Sequence, residues 1–434
     1  MNEKQRVRLK PTQVLVLSFI ITIIVGTILL SLPQSSNGYA LPCVDALFTA
    51  TSATCVTGLI VVPTGEQFTL FGQLIILSLI QLGGLGIMTF SSFFAVVLGK
   101  RITLKDRIVI QESLSSGATG EILTLLKYVL IFTISAEALG ATLLYFRFHN
   151  IYQAIFHSVS AFCNAGFSLW PTSLISYKED FIVNFIITSL IIIGGIGFIV
   201  VADLKGALRG RKSSLHTKVT ILVSVVLILF STAIIFLLEY GNTLKFLPLK
   251  TKVLTSYFQA VTPRTAGFNT LDIAQLTKAT LFFIIILMFI GGSSGSTAGG
   301  IKTGTFLVLA ASVSSMLKGR EEVEIFGRTI PKDISHKALS IVILSLVLIM
   351  IGVFSLLIIE KRGSFLHLLF EVVSAFGTVG LSTGITPYLS ILGKIVITII
   401  MFVGRVGPLT LALAVGGQKT LVAYKYPEEE VIVG

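Results

Sequence analysis

Several stretches of this chain are free of charge and long enough to cross a lipid bilayer. Val14–Leu32, Leu70–Leu98, Phe181–Ala202, Val219–Leu238 and Ala338–Ile359 hold no Asp, Glu, Lys or Arg, and a spanning helix needs roughly 20 residues. Tyr128–Phe146 and Ile395–Val415 are comparable but contain one charge each, Glu137 and Arg405. Leu281–Ile290 is too short alone and is followed by Gly291–Gly300 and a second apolar run, Thr303–Leu317. Eight spans are expected, one of them broken. Charged residues make up only 12% of the chain, against about 25% in a soluble domain, so lipid is the solvent that this composition fits. The first run exceeds the apolar core of a signal peptide and no small-residue cleavage site follows it, so it is read as a retained span.

The formal charge of +12 sorts by side. Lys4, Arg6, Arg8 and Lys10 precede the first span, and five basic residues lie in each of the loops 100–127, 203–218 and 318–337. The alternate loops are poorer in Lys and Arg. The positive-inside bias then places both termini and those three loops in the cytoplasm. Basic residues scattered over membrane-flanking loops do not make a nucleic-acid surface. Cys43, Cys55 and Cys163 lack paired spacing and support neither a disulfide framework nor a metal site.

Self-similarity organises the chain. Four segments share one order: a long apolar span, a short run led by Phe and ended by Gly, a polar connection, and a glycine-containing span. The short runs are Phe48–Gly58, Phe156–Gly166, Phe258–Gly267 and Phe370–Gly380, with a Phe-to-Gly offset of ten in three and nine in the third. A second landmark follows at Gly83, Gly194, Gly291 and Gly404, in GxxG patterns at 83–86, 194–197 and 404–407, with 292–295 in the broken repeat. The repeats are set at 11–100, 101–206, 207–318 and 319–417, with a cytoplasmic tail at 418–434. Each crosses twice, so all four share one orientation. The expected fold is an all-α polytopic membrane protein of four membrane–pore-loop–membrane repeats around a pseudo-fourfold axis. The short runs cannot span and are read as re-entrant; irregular backbone at that depth is tolerated only inside protein or along a water-filled cavity.

The segments ending these runs are Thr54-Cys55-Val56-Thr57-Gly58, Cys163-Asn164-Ala165-Gly166, Thr265-Ala266-Gly267 and Gly377-Thr378-Val379-Gly380. Potassium selectivity needs backbone carbonyls to replace the ion's hydration shell. Aligning them takes dihedrals that glycine permits. The fourth segment contains TVG, which opens the potassium-channel filter loop. A single glycine of this kind concerns packing more often than ions; four at matched positions read as a filter.

With SAFCNAGFS at 160–168, PRTAGFN at 263–269, GGSSGSTAGGIKT at 291–303 and GRVGPLT at 404–410, residues 11–417 resemble the membrane subunit of the Trk/Ktr/HKT superfamily of potassium transporters. The likeness is greatest to the bacterial Ktr type. The resemblance implies sodium-dependent potassium uptake at the bacterial plasma membrane, a homodimer with one pore per subunit, and a cytosolic ring of nucleotide-binding regulatory subunits. Serine at the first filter position accompanies sodium preference in related plant proteins, and this chain has Gly58 there. No nucleotide motif occurs in the chain, so no cofactor of its own is expected beyond potassium as cargo and sodium as activator or co-ion. Arg264 stands three positions before a filter glycine; its side chain is expected to face away from the axis toward an acceptor.

Gly291, Gly292, Ser293, Ser294, Gly295, Ser296, Thr297, Gly299 and Gly300 form a polar loop at a depth where the other repeats are expected to be helical. The resemblance implies that this intramembrane loop gates the pathway; a plain helix break is the bland alternative. Arg405, mid-span, must face the bundle interior or water, where it forms either a barrier to cations or a pair with a carboxylate. Lys302 ends the loop and is counted with it and Arg405 among the gate residues; the bland alternative is that it simply reaches the cytoplasmic interface. Glu137 is either a relay group or a satisfied interior carboxylate, and Asp45 and Glu371 are taken to sit at helix starts, favoured by the helix dipole.

Two other classes were weighed. Gly291–Gly295 matches GxSxG, but a serine hydrolase needs a histidine base within reach and a strand–turn–helix that this apolar context lacks. A secondary transporter with a midplane pocket calls for broken helices in paired repeats, and only one break is expected.

Overall fold

The computed structural model describes residues 11–86, 122–207, 210, 212–320, 322–361, 363–415 and 429. Most of the 100–127 loop and of the 418–434 tail lies outside these residues.

Four long helices lead the four repeats: α1 (Pro11–Leu30), α4 (Ile122–Phe148), α8 (Leu215–Glu239) and α12 (Lys332–Ile359). These are the described helices long and apolar enough to cross a membrane; the bent pair α6 (Phe181–Ile196) and α7 (Phe198–Ala207) makes a fifth if counted as one span. Ile21, Ile131, Leu229 and Met350 stand exposed on the long helices, as side chains facing lipid do. Each long helix is followed by a short one: α2 (Cys43–Thr54), α5 (Ile151–Phe162), α9 (Leu249–Val261) and α13 (Phe365–Gly377). At 12 or 13 residues each, these are too short to span at 1.5 Å per residue. They start earlier than the Phe-led runs, whose Phe48, Phe156, Phe258 and Phe370 are fully buried.

The remaining helices are α3 (Leu70–Leu85), α10 (Lys278–Phe289), α11 (Thr303–Leu317), α14 (Ile391–Val406) and α15 (Pro408–Val415). Thr69, Asp180, Thr277 and Ser390 cap α3, α6, α10 and α14, each side chain accepting from a backbone N–H two or three residues on. A capping oxygen satisfies one of the unpaired N–H groups at the helix start.

The packing is cyclic. Every long helix lies against the short helix of its own repeat, α1 on α2, α4 on α5, α8 on α9 and α12 on α13. Every second helix lies against the short helix of the next repeat: α3 on α5, α6 on α9, α10 on α13, and α14 back on α2. The last contact joins residues some 350 apart in sequence and closes the circle, since Lys394 Nζ on α14 lies 2.6 Å from Asp45 Oδ1 on α2.

Two sequence expectations need correction. The second helix is interrupted in the second, third and fourth repeats, not in one, and in the first the described helix ends at Gly86. Gly86, Gly197 and Gly407 end α3, α6 and α14 at φ of +83°, +103° and +92°, and the chain bends by 93° between α6 and α7. A left-handed residue cannot continue a right-handed helix, so Gly197 and Gly407 break spans that apolar composition led one to draw straight. The fold is also not purely helical. Val323–Ile325 and Arg328–Ile330 pair as an antiparallel hairpin, β1–β2, about a two-residue turn. Phe326 and Gly327 there both have positive φ, as a tight hairpin turn requires.

Candidate functional site

The four segments that leave the short helices meet. A methyl group built on Gly58 would fall on the Ala165 carbonyl oxygen and 3.1 Å from Gly166 Cα; one on Gly166 would lie 2.9 Å from Gly267 Cα; one on Gly267, 3.3 Å from Gly380 Cα; and one on Gly380, 3.0 Å from Gly58 Cα. Gly58, Gly166, Gly267 and Gly380 therefore form a closed ring, in repeat order, with no room for a side chain at any position. All four have positive φ, between +69° and +92°.

The residue two before each glycine is left-handed as well. Val56, Asn164, Thr265 and Thr378 have φ between +49° and +71°. Three of these are β-branched, and such a conformation costs about 1–3 kcal/mol per residue. The short helices hold it in place. Thr57, Ala165, Ala266 and Val379 donate their N–H groups back to the carbonyls of Ser52, Ser160, Thr262 and Ser374, at 2.8–2.9 Å. The same four hydroxyls bind a second time: Ser52 and Ser374 accept from Gly58 and Gly380 N–H at 3.1 Å, while Ser160 and Thr262 donate to Phe167 and Phe268 carbonyls. With the amides so engaged, the carbonyls of 56–57, 164–165, 265–266 and 378–379 accept no protein hydrogen bond among the described residues. The sequence reading includes Val56, Asn164, Thr265 and Thr378 in the segments but not their left-handed backbone, and it does not single out the hydroxyls. The signal for the hydroxyls was present, as Ser or Thr four residues after the leading Phe in every repeat.

The landmark glycines of the second helices have one shared task. A methyl on Gly83, Gly194 or Gly404 would overlap the carbonyl oxygen of Thr54, Phe162 or Phe376, at the end of the short helix of the same repeat. Gly291 differs, packing on Gly299 and Gly300 of its own loop.

That loop lies against the ring. Its base is closed by Gly291 N–H to Ile301 O at 2.8 Å and Thr303 N–H to Gly292 O at 3.0 Å. Its body is tied to the second repeat: Ser293 N–H to Gly195 O, Phe198 N–H to Gly295 O, and Thr297 Oγ1 to Phe162 O. A methyl on Gly299 would overlap the Thr378 side chain, and one on Gly300 would lie 3.3 Å from Gly377 Cα. Ser294, Gly295, Ser296, Gly300 and Lys302 line a cavity of about 500 Å³ that Gly84 and Arg405 share.

Arg405 donates to the carbonyl oxygens of Thr297 and Gly83. It is thus bound to backbone, not to a carboxylate, and joins the last repeat, the loop of the third and the second helix of the first. Lys302 does not extend to an interface but folds back on the loop, its Nζ 2.7 Å from Ala298 O. Glu371 sits within α13 rather than at its start, fully buried, accepting from Ser382, Thr383 and Thr386 beyond Gly380. Arg264 is buried, but among the described residues its guanidinium finds no carboxylate and its Nε no acceptor. Ser293 Oγ bonds Thr220, with no histidine beside it. Since more than one repeat is broken, counting broken helices no longer separates a secondary transporter from a pore.

Residues 2–419 match the family model described as TrkH, cation transport protein. The chain belongs to the TrkH family of cation transporters. It is 47% identical to the Ktr system potassium uptake protein B of Bacillus subtilis over 99% of this chain and 98% of that one. It is 39% identical to the potassium/sodium uptake protein NtpJ of Enterococcus hirae, over 100% and 99% of the two chains. The crystal structure of the potassium transporter TrkH from Vibrio parahaemolyticus matches with a TM-score of 0.79 at 19% identity, covering 96% of this chain and 87% of that one. Membership of TrkH makes this a membrane-embedded transporter and not an enzyme, in agreement with the sequence reading.

Proposed function

We propose that this chain is the ion-translocating subunit of a potassium uptake system. One observation carries the reading: four glycines, one per repeat, close a ring whose neighbouring carbonyls have no protein donor. A cation entering such a ring exchanges water for carbonyl oxygens, and selectivity follows from their number and field. The filter comprises the segments ending at Gly58, Gly166, Gly267 and Gly380, on the axis of eight spans divided at residues 100, 206 and 318. Potassium is favoured by Gly58 in the first segment, and by the potassium uptake named for the Bacillus and Enterococcus relatives. The Enterococcus name also supports sodium as activator or co-ion.

The loop 291–303, held by Arg405 beneath the ring, is the gate. The chain works as a homodimer in the bacterial plasma membrane, termini inward, and the Ktr names of its relatives support a cytosolic nucleotide-binding ring as regulator. Rubidium flux into proteoliposomes, with and without sodium, tests the filter. Gly58→Asp and Gly380→Asp are expected to abolish selective flux, and wild-type flux in both would remove the assignment. Deleting part of 291–303 is expected to raise flux; unchanged flux would reduce the loop to a kink.

A further inference from the structure

Behind the second filter segment lies a carboxylate that the proposed pathway has not used. Glu137, on α4, is nine-tenths buried. Its Oε2 accepts from Gln81 Nε2 on α3 at 3.2 Å, and its Oε1 lies 3.8 Å from the Cys163 thiol, which also approaches Gln81 Oε1 at 3.6 Å. Cys163 is the first residue of the segment that ends at Gly166. Close packing brings the acid there: Ser158 Oγ on α5 donates to the Glu137 carbonyl at 2.7 Å, and a methyl on Gly140, nearly one turn along α4, would overlap Ser158 Oγ.

Among the described residues no Lys or Arg stands within ion-pair distance of Glu137. Its two donors, an amide and a weak thiol, leave about half of a carboxylate's four or so acceptor sites unfilled. A glutamine would fill the same space without the cost of a charge in the membrane interior. When ionised, this acid adds negative potential beside the second segment, whose carbonyls belong to the proposed filter. The low-polarity surroundings strengthen it.

We propose that Glu137 is the counter-charge of the filter: through Gln81 and Cys163 it positions the second segment, and its charge sets the affinity of the ring for a monovalent cation. The idea rests on the filter reading given above. It predicts an affinity effect separable from folding. In proteoliposomes of the full-length chain, Glu137→Gln is expected to raise the rubidium concentration for half-maximal flux about tenfold, the equivalent of roughly 1.4 kcal/mol, with maximal flux largely kept. Glu137→Asp is expected to stay near wild type, and potassium-dependent thermal protection of the detergent-solubilised protein to shift with the flux. Gln81→Leu is expected to lower potassium-over-sodium preference. An unchanged half-saturation in Glu137→Gln, with Gly58→Asp and Gly380→Asp inactive, overturns this inference and leaves the filter. Selective flux in the glycine variants overturns the filter itself. A Glu137→Gln protein that loses maximal flux and stability but not affinity reduces Glu137 to a structural role.

Discussion

The guanidinium of Arg405 binds the backbone carbonyl of Thr297, so the fourth repeat holds the loop of the third in place across 108 positions of sequence. A second bond reaches Gly83 O in the first repeat. Charge-assisted bonds of this kind contribute about 1.5–3 kcal/mol each, and on the proposed reading they also put a positive charge beside the ion route. Arg405→Ala should therefore raise unregulated rubidium flux several-fold, and Arg405→Lys should raise it less, because an ammonium lacks the planar fork. Flux at or below wild type in the alanine variant would show that Arg405 does not close the path.

Two amides of the glycine ring, those of Gly58 and Gly380, depend on hydroxyls of the short helices. Ser374→Ala leaves the Gly380 N–H buried with no acceptor, a loss of about 1–3 kcal/mol. Potassium-over-sodium preference is expected to fall about tenfold, and Ser374→Thr to restore most of it. Competitive flux measurements with both ions decide this, with Ser52→Ala as the matching variant in the first repeat.

Packing of second helices on short ones admits no Cβ. Gly404→Ala, whose methyl would overlap Phe376 O, should cost about 1–3 kcal/mol, read as a lower melting temperature in detergent. Gly304→Ala, with open space around it on α11, should be neutral or slightly stabilising through helix propensity. Equal melting temperatures for the two would contradict the close approach.

Asp45 and Lys394 join the first repeat to the last, with side chains 17% and 13% exposed. Each single neutralisation should destabilise the protein. The charge swap Asp45→Lys with Lys394→Asp should recover part of the loss, giving a coupling of about 1 kcal/mol in a double-mutant cycle. Additive effects would leave the pair without energetic weight.

Much of this was legible without coordinates. The long apolar runs, the matched Phe-to-Gly spacing and the glycine landmarks are written into the chain, because hydropathy and the conformational freedom of glycine are properties of residues and short segments. On that basis Gly58, Gly166, Gly267 and Gly380 could be named together, and the ring brings them together. Other features depended on surroundings that local propensity does not specify, in one case 322 positions away. Val56 and Thr378 take left-handed backbones that their own chemistry disfavours, imposed by the hydrogen bonds around them. Glu137 meets Cys163 only because α4 packs on α5, and Arg405 finds backbone oxygen because the fourth repeat returns to the first. Local propensity does not encode which distant group a side chain will meet; closing the circle of helices decides that.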